Sequence, residues 1–230
     1  MNHALLKQSL DSIACEIPGA TRIFHAHKLD FYRGGQLSLS EAAVNSGISA
    51  EAIAAELDAI KAPEDEAMDW RTAADAELIS HILARYHSRH REQLPELIRL
   101  AQRVEQVHGD HDDCPAGLTD LLRYMQQELE SHMLKEEQIL FPALLDGLGP
   151  RALAPISVMR MEHEHHGEAI QRLLTITQRV TPPHNACSTW GALYRGLDEF
   201  IGDLMQHIHL ENNVLFTNAL NPATKQAAKP

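Results

Sequence analysis

The chain has 230 residues, 44% hydrophobic but only 5% aromatic, with a formal net charge of −12. That length holds one large domain or two smaller ones around an aliphatic core, and the acidity argues against nucleic acid as a partner. No apolar run approaches the roughly 18 residues of a membrane span, Asp11 and Glu16 interrupt the N-terminal stretch where a signal peptide would stay apolar, and three cysteines without C-x-x-C spacing make no disulfide framework. A soluble cytoplasmic protein is the expectation, and its anomaly is histidine, present 15 times.

Residues 1–60 read as a small helical N-terminal domain, its short helices broken by Pro18, Gly34-Gly35 and Gly47. "SLSEAAVNSG" pairs Ser38 with Glu41 in a capping box and ends on glycine, and Ser49 starts a further helix in "SAEAIAAELDAI". The acidic, proline-containing stretch around "KAPEDEAMDW" lacks apolar periodicity, so 61–74 is a linker. Four long helical segments follow near 75–107, 117–147, 151–180 and 186–219, joined by "HGDHDDCPAG", "GLGP" and "TPPHNA". Such segments with short connections predict an all-α fold, an antiparallel four-helix bundle over 75–220 with a flexible tail at 221–230.

The second and fourth segments carry the same phrase. "HMLKEEQILF" begins at His132 and "HIHLENNVLF" at His207; each sets a Glu four residues on (Glu136, Glu211) and ends on an aliphatic, Leu and Phe. Leu118, Leu122, Met125, Leu129, His132, Glu136 and Ile139 follow steps of four and three, as do Leu193, Leu197, Phe200, Leu204, His207, Glu211 and Val214. That is the inward seam of a bundle helix, so both His-Glu pairs face the core. A carboxylate buried among leucines costs several kcal/mol unless compensated, and a cation between the two is required.

The other two segments supply matching histidines. His87 lies beside the seam of Ile79, Leu83, Leu94 and Ile98, and His163 lies on that of Ile156, Met159, Ile170 and Leu173. One helical hairpin is thus written twice, each copy holding His…His-x-x-x-Glu. Four imidazoles and two carboxylates from inward bundle positions suit a pair of iron or manganese ions. A single H-x-x-x-E is commonly an exposed i,i+4 pair; two copies on core seams point to metal. His90 and His166, one turn after His87 and His163, are expected in a second shell or in the core. Glu128 and Glu162 could line an approach to the metals or face outward, and His108, His111 and His184 are expected to be solvated.

These residues resemble the iron-sulfur cluster repair di-iron proteins (the RIC, ScdA- or YtfE-like family) over nearly the whole chain. The likeness is strongest in "RYHSRHREQLPEL", "ELESHMLKEEQILFP", "PISVMRMEHEHHGE" and "HIHLENNVLF". The resemblance implies a hemerythrin-like bundle with a non-haem di-iron centre behind an ScdA-N-like domain. It makes His87, His132, His163 and His207 terminal ligands, with Glu136 and Glu211 bridging two irons per chain that also share an oxo or hydroxo bridge. It further implies repair of clusters damaged by nitric oxide or oxidative stress, by iron donation or by handling nitric oxide at the centre. Damaged iron-sulfur proteins or a cluster scaffold would be the partners; nitric oxide, oxygen or peroxide would be the small molecules. Whether the centre also turns over as an enzyme, reducing nitric oxide, stays open, and the family's proteins are often described as homodimers.

Two departures bear on function. The family's N-terminal domain carries D-x-C-C-G-G; here Asp30, Gly34 and Gly35 match, but Tyr32 and Arg33 replace the cysteines, so no thiol chemistry is carried over. Oxygen-carrying hemerythrins place another His four residues after the third-helix ligand, where this chain has Gly167, and end on H-x-x-x-x-D instead of H-x-x-x-E. The present donors leave about one open position per six-coordinate metal, which suits reaction with small molecules or metal loss better than oxygen carriage. A hemerythrin-like oxygen or nitric oxide carrier or sensor is the alternative reading. A DNA-binding regulator built on "SLSEAAVNSGISAEAI" is disfavoured because acids outnumber bases in residues 1–61.

Overall fold

A computed structural model describes residues 3–17, 19–29, 31, 35–59, 70–147 and 152–220. Pro18, Asp30, Tyr32, Arg33 and Gly34, most of the expected linker and the expected tail lie outside the described residues. The described residues are helical, with one isolated antiparallel bridge between Ser9 and Ser38. None of their helices is long and apolar enough to cross a membrane. The chain divides into two compact units, residues 79–204 and residues 1–78 with 205–230.

The second of these units begins with five short helices: α1 (His3–Lys7), α2 (Leu10–Glu16), α3 (Ala20–Ala26), α4 (Leu39–Ser46) and α5 (Ala50–Ala59). The capping box forms as expected, with Ser38 Oγ accepting from the Glu41 N–H at 3.3 Å and Glu41 accepting from the Ser38 N–H at 2.9 Å. Gly47 ends α4 in the left-handed conformation, φ 70°. Ser49 accepts from the Ala52 N–H at 3.2 Å at the start of α5. Leu10, Ile13, Phe24, Leu29, Phe31, Leu39, Ile53 and Leu57 fill the interior. Residues 8–11 and 35–39 are stitched by backbone hydrogen bonds, among them Asp11 N–H to Gly35 O at 2.9 Å. Gly35 has no alternative there: a Cβ would meet Asp11 Oδ1 at 1.6 Å and Phe31 O at 2.6 Å.

Four long helices follow: α6 (75–108), α7 (118–145), α8 (Leu153–Ile176) and α9 (188–220). Within 79–204 they pair antiparallel. Along α6, His87 and Arg91 meet Glu137 and Glu130 of α7 in reverse order. On its other flank Arg89 meets Glu199, and His108 reaches Cys187 just before α9. His132 of α7 meets Glu162 of α8, while Asp113, preceding α7, meets Gln178, following α8. The up-down-up-down bundle is the predicted one. α8 stops at Ile176, short of the expected 180, because Thr177 Oγ1 turns back on Leu173 O at 2.8 Å and residues 178–180 take positive φ.

Three of the four helices contain a π turn: Leu83–His87 in α6, Glu136–Leu140 in α7 and Leu210–Leu215 in α9. The N–H of Phe141 reaches Glu136 O, and that of Phe216 reaches Glu211 O, each five residues back. A π turn carries an extra residue, so everything beyond it is rotated by about 100° from the α-helical register. The expected seam fails at this point. Ile139 is 59% exposed and Leu140, 1% exposed, takes its place in the core. In α9 both Val214 and Leu215 are buried.

The register is directly testable. Ile139→Lys should shift the urea midpoint by no more than about 0.5 kcal/mol of stability, as an ordinary surface change does. Leu140→Ala should cost about 2–5 kcal/mol, as buried leucines do. A straight α-helical register would reverse the two results.

Candidate metal centre

In residues 79–204 the site is built around Glu136, whose side chain has no solvent exposure. His87, at the end of the α6 π turn, sets its Nε2 3.4 Å from Glu136 Oε2. His132, one turn before Glu136 on α7, sets its Nε2 3.3 Å from Oε1. His163, from the middle of α8, brings its Nε2 to 3.1 Å from that of His132. All three imidazoles are 1% exposed. The two oxygens of one carboxylate therefore face different histidines. Two donors at right angles on an ion with bonds of about 2.1 Å stand about 3.0 Å apart, close to these separations.

Outside this ring lie two carboxylates that fix the imidazoles. His87 Nδ1 donates to Glu137 at 2.8 Å, and His132 Nδ1 donates to Glu162 at 2.9 Å. With Nδ1 donating outward, Nε2 is the nitrogen each ring turns inward, the arrangement found in histidine ligands of metals. The His132 hydrogen bond, helped by Lys135 and opposed by partial burial, holds Glu162 ionised with a pKa of about 2. Burial pushes Glu137 up, but hydrogen bonds from Arg91 and His87 outweigh it and hold the carboxyl below its usual range. Arg91 is fixed in turn by Glu130 at 2.9 Å, and its guanidinium pKa is raised, first by that hydrogen bond and then by the one to Glu137.

In the other unit the second copy of the motif folds like the first. His207 Nε2 stands 3.1 Å from Glu211 Oε1, both side chains are buried, and Glu211 lies in the α9 π turn. Paired imidazoles and carboxylates at this depth make His/Glu clusters compatible with iron binding.

The remaining expectations divide. Glu162 is a hydrogen-bond partner of a proposed ligand, and His166 is buried with its ring centroid 5.0 Å from that of His132. His90 is a core residue, packed edge-on against Phe200 at 5.6 Å and beside Tyr86. Glu128 faces outward, exposed on α7. His184 is exposed as expected, but His108 and His111 are not simply solvated: both rings pack on buried Trp190, and His108 Nε2 lies 3.2 Å from Cys187 Sγ. Helix α6 runs on to His108, so the connection begins later than its polar composition suggested. Glu137 went unread, although the doublet Glu136-Glu137 inside the repeated motif was its signal.

Residues 78–219 match the model of the hemerythrin HHE cation binding domain, and residues 6–61 match ScdA_N, a domain of unknown function. The chain is 49% identical over 213 residues to proteins named iron-sulfur cluster repair protein YtfE. They come from Pectobacterium carotovorum subsp. carotovorum, Pectobacterium atrosepticum and Yersinia pseudotuberculosis, and the alignment covers 93% of this chain and 96% of each relative.

The outer carboxylates generate a prediction. Glu137→Gln and Glu162→Gln should each lower iron affinity about 10- to 100-fold, the usual cost of losing a ligand's hydrogen-bond partner. Glu128→Gln should leave it unchanged. Competition against a coloured chelator reads all three.

Proposed function

The chain belongs to the hemerythrin HHE cation-binding family, and on that premise we propose that it is a non-haem di-iron protein that repairs iron-sulfur clusters damaged by nitric oxide or oxidative stress. The near-full-length likeness to proteins named for that repair supports the role. The observation that carries the chemistry is the fully buried Glu136, with His87 against one oxygen and His132 against the other.

Two irons per chain is the stoichiometry of this reading. His87 and His207 would hold one, His132 and His163 the other, with Glu136 and Glu211 shared between them. Glu136 supports the sharing by its two-sided contacts, and Glu211 takes the corresponding role because its motif repeats that of Glu136 in sequence, burial and π turn. When bound, iron supplies two things: a redox-active centre able to react with nitric oxide, oxygen or peroxide, and a reserve that a damaged cluster protein or scaffold can draw on. The chain's own contribution is to orient the imidazoles and exclude water. Repair would run by iron donation, by nitric oxide handling at the centre, or by both; reduction favours donation, because the two carboxylates hold the ferrous ion less tightly than the ferric ion. Tyr32 and Arg33 show that the adjacent cysteine pair is not part of that chemistry in this chain.

Metal analysis with Mössbauer spectroscopy should find about two irons per chain, antiferromagnetically coupled when oxidised. Glu136→Ala and Glu211→Ala should lose iron far more severely than His90→Ala. The iron-free protein should melt lower than the loaded one, since its buried carboxylates must then be protonated or hydrated.

Donation has its own test. The reduced, loaded protein should rebuild a cluster on an iron-depleted acceptor supplied with sulfide, and a ferrous chelator should withdraw iron faster from the reduced than from the oxidised form. Donation that appeared only after Tyr32→Cys and Arg33→Cys were introduced together would defeat the proposal.

A further inference from the structure

The two π turns that carry Glu136 and Glu211 are held in place by different means. In α7, Glu137 ties the turn to His87 and Arg91, and Pro142 stands two residues past its end. With no N–H to donate, proline cannot complete an ordinary α-helical rung there. In α9 the corresponding residues are Asn212 and Thr217; the anchoring carboxylate and the proline are both replaced. A π turn is a locally poor arrangement of the backbone and needs support from outside the helix.

In α9 that support comes from the first helices of the chain. Asn213 Nδ2 donates to Asp11 Oδ1 of α2 at 3.1 Å and lies 2.8 Å from His209 Nδ1. Asp11 is itself clamped: its other oxygen accepts from Gln36 Nε2 at 2.8 Å, and its N–H donates to Gly35 O at 2.9 Å. The ring of Phe31 stands edge-on to that of His209, 5.8 Å between centroids. His209 is buried, 1% exposed, beside this contact. Glu211 sits between the two α9 members of this network, His209 and Asn213.

We propose that Asp11 and Asn213 form a positioning relay that fixes the π turn bearing Glu211, so that the N-terminal helices set how tightly this carboxylate holds iron. The relay rests on the reading of Glu211 as an iron ligand. Asp11 is a positioning residue in it, acting only through Asn213 and the turn.

The test uses the full, iron-loaded chain with Asp11→Ala, Asn213→Ala, the double variant, Glu211→Ala and Ile53→Ala. Ile53 is buried in the N-terminal core, so its truncation loosens that core without removing a relay partner. Iron withdrawal by a chelator, the visible spectrum of the oxidised centre and the melting of the iron-free protein are measured for each. Asp11→Ala and Asn213→Ala should each speed withdrawal about tenfold and shift the spectrum, and the double variant should be no faster than the faster single one. Ile53→Ala should lower the melting temperature and leave withdrawal and spectrum as they were. If Glu211→Ala loses iron while Asp11→Ala and Asn213→Ala release it at the parental rate, or if Ile53→Ala speeds release equally, the relay is wrong and the ligand reading stands. If Glu211→Ala keeps both irons, the ligand reading fails and the relay falls with it.

Discussion

A carboxylate without solvent contact, set among imidazoles in an aliphatic interior, is the constraint to which the bundle answers. Glu136 could not stay ionised there alone, because desolvation would cost several kcal/mol. Its surroundings alternate between carboxylates and nitrogen groups from the inside outward. One line runs from Glu136 through His87 to Glu137 and Arg91, another through His132 to Glu162 and Lys135. Each line ends on a cation at the surface, so the inner polarity is tied to water through hydrogen bonds. The interior is mostly aliphatic, with the buried ring of Phe141 packed beside His87, 5.8 Å between centroids.

The hairpin is written twice but supported asymmetrically. Around the first copy the outer carboxylates and their cations come from α6 and α7, with Glu162 added from α8. The second has asparagines after its glutamate and engages α2 instead. The N-terminal helices therefore have a physical task that does not depend on a cysteine pair. Gly35, two residues beyond the position where the cysteines are missing, is held against Asp11 with no room for a side chain. Conformation at that point, more than thiol chemistry, is what this chain retains of the pattern.

Much of the site is legible in the sequence. The buried Glu136 and Glu211 and the histidines beside them are legible because burying a carboxylate is costly, and two such burials on matching apolar seams call for compensation. The capping box of Ser38 and Glu41 is equally readable, since both of its hydrogen bonds are local. The π turns are not, because periodicity assumes one constant repeat and a single added residue at Ile139 is invisible to it. Glu137 is hidden for the same reason: in an unbroken helix, the residue after an inward ligand points well away from the core partner. His108 looks like loop because its neighbours are polar, yet the thiol and the indole that receive it lie about 80 residues further on, a separation no local pattern reports.

The recurrence of the π turn at both Glu136 and Glu211 bears on anyone who would transplant this centre. Idealised scaffolds are drawn as uninterrupted helices with a fixed heptad, and grafting the donors onto one would reproduce their spacing faithfully. Beyond the glutamate, however, such a scaffold would turn Ile139 inward and swing Leu140 and Phe141 off the interior, so the floor beneath the centre would be lost. The minimal transferable module is thus a deliberately irregular helix, one residue longer per turn at the glutamate than its designer's template allows.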